Sequence, residues 1–130
     1  MPTATALAPW LTVSNDGEAI DFYKRAFGAV VMYRVPPGGV AQLSIDGAEF
    51  WISDASPERN RVTPAQLPGH THWLLLVVDD PDAAWARAVE AGARPGDDLV
   101  DGHDWRTGSV FDPDGHEWTI GKPLVPWPPT

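Results

Sequence analysis

A His-x-His pair, His70 and His72, stands at the entrance to the apolar run WLLLVV. Imidazoles two residues apart share one face of an extended strand, a spacing that suits a divalent metal. His103 sits in the polar loop DGHDWR, where it is placed to hydrogen-bond a ligand or to serve as an acid or base. His116 follows the turn DPDG. Glu49 and Glu117 form a carboxylate pair for proton transfer if the fold makes them converge. Seven tryptophans in 130 residues are a heavier signal still. Tryptophan is large and rigid and stacks on flat or cationic molecules, so part of this set is expected to line a pocket or an interface.

Other chemistry is missing. There are no cysteines, hence no disulfide framework and no thiolate, which fits a cytoplasmic location. PPGG and the Asp-Gly turns lack the strand–loop–helix setting of a phosphate loop, and Ser44, Ser53 and Ser109 have no nucleophile context. Nine basic residues against eighteen acidic ones give a net charge of -9, a field that repels nucleic acid and anionic membranes. No apolar run approaches the roughly 20 residues needed to span a bilayer. MPTATALAPW lacks the basic and apolar regions of a signal peptide.

These groups need elements to hold them. LAPWLTV (7–13) reads as a short strand. The segment after it carries Ile20, Tyr23, Ala26 and Phe27 at helical spacing, with Asn15 or Asp16 as cap and Gly28 at the left-handed end. Strands follow at 30–35, 40–45 and 48–53, separated by PPGG and by the hairpin pair Asp46-Gly47. The pattern then recurs: a strand at 72–78 and a helix at 81–92, with Pro81 in its first turn and Gly92 past its end. Weaker strands follow near 98–100, 107–111 and 116–121. AIDFYKRAFGA (19–29) and AAWARAVEAGA (83–93) align without gaps. The chain therefore reads as one α+β domain of two βαβββ units, about 7–54 and about 72–124, joined by the polar linker 56–69. The tail PLVPWPPT is expected to be extended, either disordered or packed on a neighbour. Each small sheet buries one face under its helix, and the two remaining faces together make a curved cup, a natural small-molecule site.

AIDFYKRAFGA, VDDPDAAWARAVEAGA and VFDPDGHEW resemble the vicinal oxygen chelate superfamily of glyoxalases, bleomycin resistance proteins and extradiol dioxygenases, over about Leu7 to Leu124. The resemblance implies a glyoxalase-like curved mixed sheet and a homodimer. It leaves activity open, because the superfamily holds isomerases, lyases, dioxygenases, thiol transferases and metal-free drug binders. Its metal-dependent members place one ligand on the first and last strand of each unit. Those positions correspond here to Ala8, Trp73, Thr119 and a place near Trp51 to Ser53. His72 falls one residue off, hence on the opposite strand face, toward the helix. The resemblance thus implies no metal and no cofactor, and it makes His116 structural.

If that register marks the inward faces, alternation assigns Ala8, Trp10 and Thr12, then Trp73, Leu75 and Val77, then Glu117 and Thr119. Gln42 and Ser44, and Glu49, Trp51 and Ser53, complete the inward set. With Arg106 from the loop side, the expected ligand-binding residues are Trp10, Thr12, Gln42, Glu49, Trp51, Trp73, Arg106, Glu117 and Thr119. Trp85 and Trp118 are expected in the core. Aromatic walls with a few acids suit a flat, apolar or cationic molecule. One reading is a sequestering protein of the bleomycin-resistance type. Another is a glyoxalase-like lyase or isomerase with an unconventional metal site, or with an acid–base pair drawn from Glu49, Glu117 and His103. A third is that Trp10 and Trp73 fill the cup themselves or sit in a dimer interface.

Overall fold

The computed structural model describes residues 1–129. Unit one comprises β1 (Trp10–Val13), α1 (Asp16–Phe27), β2 (Val30–Val35), β3 (Val40–Ile45) and β4 (Ala48–Asp54). Unit two comprises β5 (Leu74–Val77), α2 (Pro81–Glu90), β6 (Arg94–Pro95), β7 (Val100–Gly102), β8 (Trp105–Phe111) and β9 (Glu117–Pro123). The first sheet runs β1-β4-β3-β2 and the second β5-β9-β8-β6, with β7 also on β8. β1 lies parallel to β4 and β5 parallel to β9; the other pairings are antiparallel. The fold is the expected α+β pair of βαβββ-like units.

The helix signals hold in detail. Asn15 Oδ1 accepts from the Glu18 amide at 2.9 Å, and Gly28 ends α1 with φ 68°. Asp80 caps α2 by accepting from the Ala83 amide at 3.1 Å, with Pro81 in its first turn. The Asp46-Gly47 hairpin has φ of 49° and 92°, the double left-handed turn that such a pair permits. Two strands start later than the sequence suggests, at Trp10 instead of Leu7 and at Leu74 instead of His72. Pro9 has no amide hydrogen to give a ladder, although its carbonyl still accepts from the Trp51 amide at 2.8 Å. The second sheet's outer edge is split into β6 and β7, both on β8. At the split, Gly96 passes so close to Ser109 that a Cβ would lie 2.4 Å from Oγ.

One apolar core lies between the helices and the sheet faces turned toward them, and it runs through both units. Trp118 of β9 is its hub: Tyr23 and Phe27 of α1 and Phe50 of β4 surround it with ring centroids 4.7 to 5.5 Å away. Trp85 of α2 packs against the same core and donates Nε1–H to the Ser109 carbonyl at 2.9 Å. The helices also serve each other's C-terminal ends. Arg25 Nη1 donates to the Ala91 carbonyl at 2.8 Å, and Arg87 Nε donates to the Arg25 carbonyl at 2.8 Å. Cations there satisfy free carbonyls and oppose the negative end of the helix dipole.

A buried carboxylate closes unit one: Asp16 accepts from Arg34 Nε at 2.9 Å, Arg34 Nη2 at 3.0 Å and the Gly39 amide at 2.9 Å. The Arg34 hydrogen bonds hold its carboxyl below the usual range, against the opposing effect of burial. The linker is ordered by short 3-10 turns at Pro57–Arg59 and Pro64–Gln66, and Ala65 N–H donates to the Asp114 carbonyl at 3.0 Å. The proline-rich tail folds back on its own chain: Leu124 N–H donates to the Asp104 carbonyl at 2.8 Å, and Trp127 meets Trp105 edge-on at 5.4 Å. Among the described residues no helix is long and apolar enough to cross a membrane.

Candidate functional site

Alternation along each strand sends one set of side chains into the core and leaves the other on an open face. In unit one Leu11, Val13, Phe50 and Ile52 are buried, so Trp10, Thr12, Glu49, Trp51 and Ser53 take the open side. The register places Trp10 beside Trp51 and Trp51 beside Gln42, as alternation predicts. The two indoles stack with centroids 5.3 Å apart and planes 27° apart, and Trp10 Nε1–H donates to Ser53 Oγ at 3.1 Å. Next to the stack, Gln42 Nε2–H donates to the Glu49 carboxylate. In unit two Leu76, Trp118 and Ile120 are buried, which leaves Leu75, Val77, Glu117 and Thr119 on the open face.

The open faces carry large apolar groups. Trp10 is 58% exposed and Trp73 63%, and Val30, Met32, Tyr33, Leu75 and Val77 are exposed as well. Trp10 and Trp73 line a single groove of about 870 Å³, whose walls come from the segment before β1, from the linker and from the approach to β5. Thr12 and Leu75 also line it, together with His70, His72 and His116. The structure thus gathers Trp10, Thr12 and Trp73 of the expected set. Trp51 stacks beside Trp10 from the neighbouring strand without lining the groove, and Gln42, Glu49, Glu117 and Thr119 do not line it either.

Three histidines differ from what the sequence suggests, and the fourth agrees. His72 precedes the strand, so strand alternation does not turn it toward the helix; it is exposed, lines the groove and shares a 2.8 Å hydrogen bond between Nδ1 and Thr71 Oγ1. His70 lies in the loop before β5 and so does not share a strand face with His72; it reaches Glu117, with Nε2 and Oε1 2.9 Å apart. His103 occupies a tight turn with φ 52° and is not part of the groove lining. His116 is structural: its Nε2 lies 2.7 Å from the Thr12 carbonyl, tying the turn before β9 to β1.

Arg106 must be moved out of the expected site. The sequence places it in a loop, but β8 begins at Trp105, and Arg106 shares the face of buried Val110 on the helix side. Its guanidinium grips Asp82 of α2 at 2.7 and 2.8 Å and Asp101 of β7 at 3.0 Å. Those carboxylates raise it further above an arginine's ordinary value, and the Arg106 hydrogen bonds hold Asp82 below the usual carboxylate range.

A family model, the Glyoxalase/Bleomycin resistance protein/Dioxygenase superfamily, matches residues 4–120. The chain belongs to this superfamily. An uncharacterised protein of Mycobacterium bovis is 41% identical to it over 128 residues, covering 92% of this chain and 84% of that protein. Among solved structures, TioX from Micromonospora sp. ML1 superposes with a TM-score of 0.70 at 25% identity, over 93% of this chain and 98% of that one. The fosfomycin resistance protein FosX from Listeria monocytogenes shares the fold, with a TM-score of 0.70 at 13% identity, over 93% and 94%.

The paired strands complete the superfamily comparison at the one position the sequence left open. Leu75 pairs with Thr119, and its counterpart in unit one, Trp10, pairs with Trp51. Trp51 is therefore the equivalent of Thr119. The four positions at which the metal-dependent members hold ligands carry Ala8, Trp51, Trp73 and Thr119, none of which is a metal donor of the usual kind. Among the described residues, moreover, no group of three or more His, Cys, Asp or Glu is placed to hold a metal ion. This donor set does not fit the metal centre.

Proposed function

We propose that the protein binds a small, flat, apolar or cationic molecule in the groove between Trp10 and Trp73, without a metal and without another cofactor, as a bleomycin-resistance-type binder does. The observation that carries this reading is the exposure of two indoles, one stacked on Trp51, along one concave surface. An exposed aromatic stack offers a π-face to a planar or cationic group at little entropic cost. A cytoplasmic location is part of the same proposal, consistent with the absence of cysteine.

Titration with planar compounds, neutral and cationic, is expected to quench tryptophan fluorescence saturably for at least one class. Trp73→Ala should raise its half-saturation concentration about tenfold, the equivalent of roughly 1.4 kcal/mol. Equal response from wild type and variant would show that Trp73 does not form the wall.

We also propose a homodimer in which a second copy covers the open faces. Val30, Met32, Tyr33 and Val35 on β2, with Leu75, Val77 and Val100 in unit two, are exposed apolar side chains of the kind a partner surface covers. Sedimentation equilibrium should give twice the chain mass, and Tyr33→Glu should shift it toward the single chain. A monomer at all concentrations would exclude this arrangement.

A further inference from the structure

One residue of the groove wall, His70, is paired with a carboxylate outside the lining, Glu117, and ligand binding alone leaves that pair unexplained. His70 Nε2 lies 2.9 Å from Glu117 Oε1, and both side chains are mostly shielded, at 28% and 19% exposure. The His70 ring also meets Phe111 edge-on, with centroids 6.2 Å apart, and the Arg94 guanidinium lies 4.2 Å from the centre of the Phe111 ring. A loop histidine is thereby fixed by a carboxylate and an aromatic ring. It stands between the Trp10–Trp73 groove and a second cavity of about 390 Å³ under the linker, and lines both.

The other histidines are employed differently. His116 Nε2 is spent on the Thr12 carbonyl, His72 pairs only with a neutral hydroxyl, and His103 sits in its turn. His70 alone among the described histidines has a carboxylate behind it. A glutamate accepting from Nε2–H fixes the tautomer, leaves the lone pair on Nδ1, and stabilises the imidazolium that forms when Nδ1 takes a proton. Among the described residues, Nδ1 makes no hydrogen bond to the protein.

We propose that His70 is a general base, positioned by Glu117, that removes a proton from a planar carbon acid held in the Trp10–Trp73 groove. The inference rests on the binding reading above and adds a chemical step to it. His70 is the catalytic residue and Glu117 the positioning residue.

5-Nitrobenzisoxazole tests this, being flat, aromatic and acidic at one C–H. His70 Nδ1 takes the proton from C3, and the C–H electron pair becomes part of the carbon–nitrogen triple bond. The N–O bond breaks, and the charge leaves on the phenolate oxygen of coloured 2-cyano-4-nitrophenolate. Water then takes the proton from the imidazolium, so no oxidant or co-reactant is needed.

Wild type is expected to turn the compound over saturably. His70→Ala should lower kcat about 100-fold, with the concentration that half-quenches tryptophan fluorescence changed by less than about twofold, and added imidazole should restore part of the rate. Glu117→Gln should lower kcat about tenfold at constant KM, and His103→Ala should leave both unchanged. Saturable quenching without turnover, or turnover indifferent to His70→Ala, would sink the general base and leave the binding site standing. Absence of quenching would sink both.

Discussion

Asp112→Ala is expected to destabilise the protein by about 3–5 kcal/mol, a large share of the roughly 5–15 kcal/mol that holds an ordinary domain together. The carboxylate is only 5% exposed and organises four donors. Oδ2 accepts from Tyr23 O–H at 2.5 Å and Trp118 Nε1–H at 3.0 Å, and Oδ1 accepts from the amides of Asp114 and His116, each at 3.0 Å. Tyr23 belongs to α1 of unit one, whereas Asp112 and Trp118 belong to unit two, so one buried side chain fastens the two units to each other. Alanine would leave those donors buried without partners, each costing more than a hydrogen bond gains. Tyr23→Phe removes a single donor and should cost about 1 kcal/mol. Urea unfolding of both variants checks the ranking; a loss under about 1 kcal/mol for Asp112→Ala would mean that water replaces the carboxylate there.

The same cluster gives a signature in pH. Burial, and then the neighbouring Asp112 charge, raise the Tyr23 hydroxyl well above its ordinary value near 10. Above that pH the unfolded chain releases a proton that the folded chain keeps, so stability falls as the pH climbs further. Asp112 is itself raised by burial, against the pull of His116 and its hydrogen bonds. In the window above 3.8 the folded chain holds a proton that the unfolded one has lost, and this group's contribution likewise falls with rising pH. The alkaline decline should be absent in Tyr23→Phe.

The two units were legible because each local signal repeats the global one: the cap at Asn15, Pro81 in the first turn of α2, glycines at 28 and 92, a hairpin at Asp46-Gly47, and strand alternation between them. Alternation also yielded most of the open faces, since Trp10, Thr12, Gln42, Glu49 and Trp51 need only a strand and a known inward residue. It failed where the strand boundary was misjudged. Arg106 falls just before the stretch 107–111 that reads as a strand, but β8 begins two residues earlier, at Trp105, and so takes it in. Contacts between distant segments left no local trace. His70 and Glu117 are 47 residues apart, and nothing in either neighbourhood announces the other. The same holds for Tyr23 and Asp112, 89 residues apart, although the aspartate of a DPDG turn is a signal worth following into the core.

Gly115→Ala should damage stability and site together, which links the turn before β9 to the groove. Gly115 has φ 89°, a backbone region that alanine enters only under strain. Its missing Cβ also matters, because a methyl there would lie 2.7 Å from the Ala65 amide nitrogen and 3.0 Å from the Ala65 Cα, both backbone atoms that cannot swing aside. The Ala65 amide is the anchor by which the linker holds the Asp114 carbonyl. Strain and displacement together should cost about 2–3 kcal/mol. The displaced segment is the one that supplies Pro64, Leu67 and His70 to the groove wall. Pushing the linker outward would pull His70 from Glu117 while leaving Trp10 and Trp51 stacked on their sheet. Such a variant, kept folded at low temperature, should therefore lose turnover of 5-nitrobenzisoxazole more than it loses fluorescence quenching. Equal loss of the two would place the linker's contribution in binding alone, and unchanged stability would show that the Ala65 anchor yields freely.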